Sequence, residues 1–332
     1  MDSKYTIKRI WLSKDKKGYE DWSNLMEKAK LHPEETLDYT LGIYDGRKLI
    51  ATGSFNENII KCVAVCKDYQ AENLLTKIIT QLIEEMNRND YFHYFLYTKP
   101  AREEVFHSLG FKKIVANKDV LFMEQGPDDF TSYLHFLKEN KKAGKGAGIV
   151  MNANPFTKGH QYLVETAAKE NEQVYVFVLS EDHSEFSTED RMTMVKKGVS
   201  HLKNVTVFST RKYLVSQATF PAYFLKDKAE LTVAKTQATL DAQIFKEKIA
   251  PILDIQIRYV GDEPYSKVTE VYNQAMKEVF GKELSLVILP RKAIGGNIIS
   301  ATKVRKALEK QDKKLLLDFL PETTYNYIKE KF

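Results

Sequence analysis

The residues whose types and spacing could do chemistry fall in two short stretches about 140 residues apart, Thr157-Lys158-Gly159-His160 and Ser300-Ala301-Thr302-Lys303-Val304-Arg305. Gly159 lets a ligand approach the backbone closely, and His160, on the first turn of a helix, can aim an imidazole N–H at an anionic oxygen. Asn154 and Phe156 lie in the turn just ahead of them. In the second stretch Ser300 can cap a helix whose first turn, with Thr302 and Lys303, faces an anion, while Arg305 can fork onto phosphate oxygens. Both stretches suit the holding of phosphate groups. Neither is a P-loop, because no Gly-x4-Gly-Lys-Ser/Thr pattern occurs there. Each also has a plain structural reading, a capped junction with a surface histidine for the first and an N-capped amphipathic helix for the second.

An apolar run over residues 148–152, a polar turn closed by Pro155, and apolar residues at helical spacing after it predict strand, loop and helix start around the first stretch. The same alternation continues: helix 159–170, strand 173–179, helix 188–200, strand 205–208, a long irregular-to-helical region, strand 255–260, helix 265–279, strand 284–289 and helix 301–310. Repeated strand–helix units argue a doubly wound parallel sheet with ligands at the carboxyl ends of its strands. Two further loops fall at such ends. One carries Ser184, Phe186 and Arg191, which could close over a ligand, although Phe186 could be core and Arg191 a surface ion-pair partner. The other, Gly261-Asp262-Glu263-Pro264, could contact ribose, adenine or a metal, although Glu-Pro is also a sound helix start. The aromatic stretch 213–231 suggests part of a pocket wall, although it could be ordinary core, and residues 313–332 suggest one or two terminal helices broken at Pro321.

At 332 residues and 43% hydrophobic composition the chain is expected to form about two domains with real cores. No apolar run approaches a membrane span and Met1-Asp2-Ser3-Lys4-Tyr5 lacks a signal segment, so a cytoplasmic protein is expected. Cys62 and Cys66, four strand residues apart, stand roughly 13 Å from each other, too far for a mutual disulfide or a shared metal. Residues 1–139 carry 20 Lys/Arg and 22 Asp/Glu, residues 140–332 carry 30 and 23. That mild basic excess beside the phosphate motifs fits an anionic ligand or an acidic protein partner. It lacks the basic, aromatic-interleaved stripe of nucleic-acid binding.

The first domain reads as strand 5–12, helix 19–31, a hairpin 39–44 and 48–55 turning at Asp45-Gly46, strand 59–65, helix 74–88, strand 93–98 and a helix from Arg102 ending in Phe106-His107-Ser108-Leu109-Gly110-Phe111. This order and its Phe-x-x-Leu-Gly-Phe ending resemble a GNAT acetyltransferase domain. In that family a Gln/Arg-x-x-Gly-x-Gly/Ala turn holds the coenzyme A pyrophosphate. Here Gln70 is followed by Ala71, Glu72 and Asn73, so the glycines are missing and an acid stands where phosphates would arrive. A retained fold without acetyl-CoA chemistry is expected. An amphipathic helix over 128–138 and a polar, glycine-rich run over 139–146 place the junction, giving domains 1–140 and 146–332.

Thr157-x-Gly159-His160 resembles the His/Thr-x-Gly-His motif of the nucleotidyltransferase superfamily. Ile299 to Arg305 resembles its Ile-Ser-Ser-Thr-x-x-Arg signature, with Ala301 in place of the second serine. A GNAT-like domain followed by Asn-Ala-Asn-Pro-Phe-Thr-x-Gly-His, Ser-Glu-Asp-x-Ser-x-Phe, Gly-Asp-Glu-Pro and Ile-Ser-x-Thr-x-x-Arg resembles, over the whole chain, the citrate lyase ligase family. The implied fold is α/β, a GNAT-like α+β domain followed by a HIGH-type, Rossmann-like nucleotidyltransferase domain. The implied activity uses ATP, with Mg²⁺, and acetate to acetylate the thiol of the CoA-derived prosthetic group on the citrate lyase acyl-carrier subunit through acetyl-adenylate. The resemblance places Thr157 and His160 on the α/β-phosphates and Ser300, Thr302 and Arg305 on the β/γ-phosphates, with Asn154, Phe156, Gly159, Lys303, Gly261, Asp262 and Glu263 lining the nucleotide site. It implies neither a nucleic-acid nor a membrane partner, and no residue is expected to be a permanent metal ligand. It also makes the aromatic stretch 213–231 a candidate approach for the pantetheine arm of the prosthetic group. Two other readings stay open, an adenylyltransferase for a phosphopantetheine-type ester and an acetyl-CoA-dependent acetyltransferase.

Overall fold

The structure is a computed structural model that describes all residues except 1–3, 35, 71, 181–183, 215–222, 224, 226–229, 263–266 and 332. The chain divides into two compact units, one of residues 1–133 with 221–236, the other of residues 134–220 with 237–332.

The first unit contains β1 (Thr6–Arg9), α1 (Lys16–Lys28), β2 (Tyr39–Asp45), β3 (Lys48–Asn56), β4 (Ile59–Val65), α2 (Leu74–Arg88), β5 (Tyr94–Thr98), α3 (Glu103–Ser108), β6 (Lys112–Ala116) and β7 (Leu121–Gln125). One seven-stranded sheet runs β1-β2-β3-β4-β5-β7-β6, antiparallel except for the β4–β5 pair. This is the GNAT-like α+β order expected; the β6–β7 hairpin is an addition that the sequence reading had not drawn. Helix α2 forms because Leu74, Ile78, Ile79, Leu82 and Met86 recur at helical spacing, and that face is buried on the sheet. The parallel pair is registered only at Ile59 with Phe95 and Ile60 with Leu96, after which the strands part. Tyr223 is held beside β5: its hydroxyl donates to the Tyr97 carbonyl at 2.8 Å, its N–H to Glu34 at 3.2 Å, and its carbonyl accepts from His32 N–H at 2.8 Å. A cleft of about 870 Å³ opens there between Val63–Asp68, Thr98, Lys99, Arg102 and Tyr223. Of the aromatic stretch 213–231, Tyr223 thus lines a cleft of the first unit, and most of the stretch lies outside the described residues.

Helix α4 (Phe130–Glu139) leads to β8 (Gly146–Met151), α5 (Lys158–Glu170), β9 (Gln173–Val178), α6 (Thr188–Val199), β10 (Val205–Ser209), α7 (Glu230–Ile244), a π-helical turn Phe245–Ile249, α8 (Ala250–Leu253), β11 (Ile255–Gly261), α9 (Lys267–Phe280), β12 (Ser285–Leu289), β13 (Ala293–Ile294), β14 (Asn297–Ile298), α10 (Ala301–Glu309), α11 (Lys313–Phe319) and α12 (Glu322–Lys331). The five long strands form an all-parallel sheet in the order β10-β9-β8-β11-β12. The order reverses between β8 and β11, where ligands of open α/β sheets bind. One face buries Ala147, Ile149, Met151, Val174, Val176 and Val178 with Val164, Met194 and Val195. On the other, Phe245 meets Phe177 edge-on at 5.9 Å. Gly148 is required by that packing, since a Cβ there would stand 2.4 Å from the Phe245 ring. The C-terminus is tied back where Tyr327 and Lys331 of α12 donate to Asp190 on α6. Among the described residues no helix is long and apolar enough to cross a membrane.

Candidate active site

Strand β8 ends at Met151, and Asn152 begins the turn that carries the first motif. The Asn154 carboxamide oxygen accepts from Phe186 N–H at 3.1 Å, so this side chain fixes the neighbouring loop. Phe156, expected to line the nucleotide, is fully buried; it stacks on the His160 ring at 5.8 Å and fills the space left by Gly198, where a Cβ would clash at 2.3 Å. Its size and apolarity make it the floor under His160.

Thr157 caps α5 from an extended conformation, and its hydroxyl accepts from His160 N–H at 3.4 Å. The reciprocal bond completes a capping box in which histidine stands where Glu or Gln is usual: Thr157 N–H donates to His160 Nδ1 at 3.1 Å. An Nδ1 that accepts this bond carries no proton, so the ring proton sits on Nε2, the nitrogen left to donate to a ligand. Burial, reinforced by the nearby Arg291 cation, lowers the His160 pKa from 6.5 to about 4. The imidazole is therefore a neutral donor at working pH. Thr157 is 2% exposed, and its hydroxyl is held against His160 and the start of the helix.

The second motif meets the first. A Cβ on Gly159 would contact Ile299 at 3.6 Å, and Arg305 Nη1 donates to the Asn154 carbonyl at 2.6 Å while its Nη2 donates to the Thr302 hydroxyl at 3.2 Å. Ser300 occupies the N-cap of α10 but its side chain makes no capping bond, contrary to the expected cap. Lys303 is exposed and donates to Ile298 O at 3.3 Å, and Lys158 reaches the Leu317 carbonyl at 2.8 Å. Two helix N-termini thus lie side by side at the carboxyl end of the sheet, a setting that favours polyanions.

The loop after β9 does not act as a lid through Arg191. Arg191 is 0% exposed and donates to Phe186 O, Asn152 O, Asn152 Oδ1, Leu179 O and Thr188 Oγ1 at 2.6–3.0 Å. It is therefore buried among these acceptors and does not stand on the surface. Phe186, 3% exposed, belongs to the core. Ser184 remains accessible, 3.5 Å from the Asn152 carboxamide. At the end of β11, Gly261 is exposed and Asp262 N–H donates to Leu289 O at 2.8 Å. Glu263 lies outside the described residues.

Sequence reasoning passed over Arg291. It follows β12, donates from Nε to Asp262 O at 2.8 Å and from Nη1 to Ile299 O at 3.4 Å, and so braces the Asp262 loop against the second motif. Burial lowers its pKa, which Asp262 partly offsets. A cation placed straight after a sheet strand, beside a phosphate motif, was the signal available. Replacing Arg291 with Ala is expected to slow a reaction at a phosphate held here about 100-fold and to move the His160 pKa upward. Nuclear magnetic resonance titration of the ring reads the second effect, and an unmoved His160 would remove Arg291 from the site. Among the described residues, no three His, Cys, Asp or Glu side chains stand together as a metal cage.

Residues 146–328 match the family described as the citrate lyase ligase C-terminal domain. The chain is 34% identical over 328 residues to the citrate (pro-3S)-lyase ligase of Escherichia coli, covering 96% of this chain and 92% of that protein. It is 35% identical over 306 residues to that of Haemophilus influenzae, covering 90% and 91%. A phosphopantetheine adenylyltransferase of Bdellovibrio bacteriovorus is 28% identical over 134 residues, 38% of this chain and 78% of that one. The agreement extends through both units at a level that shared architecture alone does not produce, and the chain belongs to the citrate lyase ligase family, an enzyme of the ligase class.

Proposed function

We propose that the protein activates citrate lyase in the cytoplasm by acetylating the thiol of the CoA-derived prosthetic group on the lyase's acyl-carrier subunit, using acetate and ATP. An acetate oxygen attacks the α-phosphorus, the α–β phosphoanhydride bond breaks, and diphosphate leaves. The carrier thiolate, its proton given to solvent, then attacks the acyl carbon, and the bond to AMP breaks. Such chemistry asks the protein mainly to position an in-line attack and to meet charge as it develops.

The observation that carries this reading is the Arg305 bond to the Asn154 carbonyl, which joins the two phosphate motifs into one site at the reversal of the sheet. There the neutral Nε2–H of His160 would donate to phosphate oxygens around the reacting centre. The N–H groups opening α10, with Thr302 and Arg305, would hold the outer phosphates, and Arg291 would add a fixed positive charge. Mg²⁺ would arrive with ATP and share the neutralisation of its phosphates. Kinship with a phosphopantetheine adenylyltransferase supports adenylyl transfer as the first step.

The test measures diphosphate release from ATP with and without acetate, and with and without the deacetylated carrier. Release that requires acetate, with stoichiometric carrier acetylation, is expected. Carrier acetylation from acetyl-CoA without ATP, or diphosphate release only with a phosphopantetheine-type ester, would overturn the reading.

A further inference from the structure

The first unit carries a cationic and aromatic edge that the nucleotide chemistry does not use. Residues 4–17 hold six Lys or Arg and one Asp, whereas residues 18–139 hold 14 and 20, so a basic segment opens an otherwise acidic stretch of chain; of its cations Lys4 pairs with Glu72 at 3.4 Å, and Lys8, Arg9 and Lys14 lie against aromatic rings. Even its single acid is engaged, since Asp15 caps α1 by accepting from Gly18 N–H at 2.9 Å. Strand β1 is the terminal strand of its sheet, and all four of its residues are exposed.

The cations are arranged around rings. The Arg9 guanidinium lies 3.7 Å from the Trp11 ring centre and 4.8 Å from that of Tyr39; Lys14 stands 5.6 Å from Trp11, and Lys8 4.2 Å from Tyr44. Trp11 is 49% exposed and Ile7 40%. Charged residues alone would be explained as blunting an edge strand against self-association. A half-exposed tryptophan clasped by arginine is not explained that way, because it keeps apolar area in water at the very edge the lysines guard. Trp and Arg are the side chains that anchor protein interfaces, and charge complementarity steers and orients the partner.

We propose that this edge, centred on Trp11, Arg9 and Lys14, is the docking surface for an acidic protein face, that of the carrier subunit which delivers the thiol. This rests on the function proposed above. The partner face it fits presents carboxylates around an apolar residue able to cover the Trp11 ring. The favourable charge makes docking sensitive to salt, since exposed pairs are screened over about 8–10 Å at ordinary ionic strength.

The experiment uses the full chain and two variants, Trp11→Ala and the double variant Arg9→Glu with Lys14→Glu. Two readouts are taken: steady-state carrier acetylation at varied carrier, and acetate-dependent ATP–diphosphate exchange without carrier. The expected result is a KM for carrier raised at least tenfold in both variants, kcat within twofold, unchanged exchange, and a wild-type KM that climbs with salt. An unchanged KM overturns the proposal. So does loss of exchange together with carrier acetylation, which would place the damage in the fold. A concentration-dependent dimer of the wild type that Trp11→Ala abolishes would assign the edge to a second copy of the chain instead. Titration of fluorophore-labelled carrier against wild type and variants reads docking directly. If the wild type binds carrier but shows no exchange, the function above fails while the docking surface stands.

Discussion

Replacing His160 with Ala slows acetate-dependent ATP–diphosphate exchange by about 10²–10³-fold, the effect of removing one preorganised donor aimed at developing oxyanion charge. The loss is expected to fall mainly on the rate, because on the proposed mechanism the α5 and α10 helix starts would still attract the nucleotide. The pH behaviour separates this role from that of an ordinary histidine. Burial, with Arg291 in support, holds the His160 pKa at about 4, below its usual 6.5. The neutral ring with its proton on Nε2 is therefore the resting form down to mildly acidic pH. Exchange should show no loss near pH 6.5 that His160→Ala removes, and a ring titration of the free enzyme should give the depressed value. The sign for stability follows from linkage. Above pH 6.5 the ring is neutral folded and unfolded, and contributes no pH dependence. As pH falls from 6.5 towards 4 only the unfolded state takes up the proton, so the wild type loses stability there that His160→Ala does not. A ring that titrates at 6.5 in the folded protein would refute the neutral-donor role.

The first motif was legible because its parts are local. A strand, a turn closed by Pro155 and a helix opening at Thr157 specify one another over a dozen residues, and His160 three residues past the cap is forced onto the first turn. The GNAT-like order was legible for a similar reason, since amphipathic α2 and the Asp45-Gly46 hairpin each declare themselves within one element. What sequence could not display was convergence. Phe156 read as a nucleotide contact and Phe186 as either a closing loop residue or core, and only the Gly198 gap that Phe156 fills and the Asn154 bond to Phe186 N–H show both packed inward. Ser300 sits in the capping position with extended backbone, yet its side chain does not cap, and spacing alone does not tell a capping serine from one that is not. The place of Tyr223 in the first unit depends on hydrogen bonds to Tyr97 and Glu34, 126 and 189 residues away in the chain. The β13–β14 hairpin at Gly295-Gly296 hid inside what read as the approach to the second motif.

Arg191 yields the second large effect, and for a different reason. Arg191→Met should destabilise the protein by about 3–5 kcal/mol, the cost of breaking up a buried, fully hydrogen-bonded charged group. Among the described residues, the acceptors it serves come from the end of β8, the end of β9, the loop that follows and the first turn of α6. Methionine matches the volume but leaves the carbonyls of Asn152, Leu179 and Phe186 without the guanidinium that gathers them. Arg191→Lys should recover little, because an ammonium cannot reproduce a planar fork over those directions. Activity should fall with stability, since Asn152 opens the turn that carries Thr157 and His160. Urea unfolding of both variants measures the first effect, and exchange assayed well below the unfolding midpoint measures the second. An Arg191→Lys protein with wild-type midpoint and exchange would show that the fork is not what holds the two strand ends in place. Loss of exchange with an unchanged midpoint would instead return Arg191 to the ligand-facing role that its burial argues against.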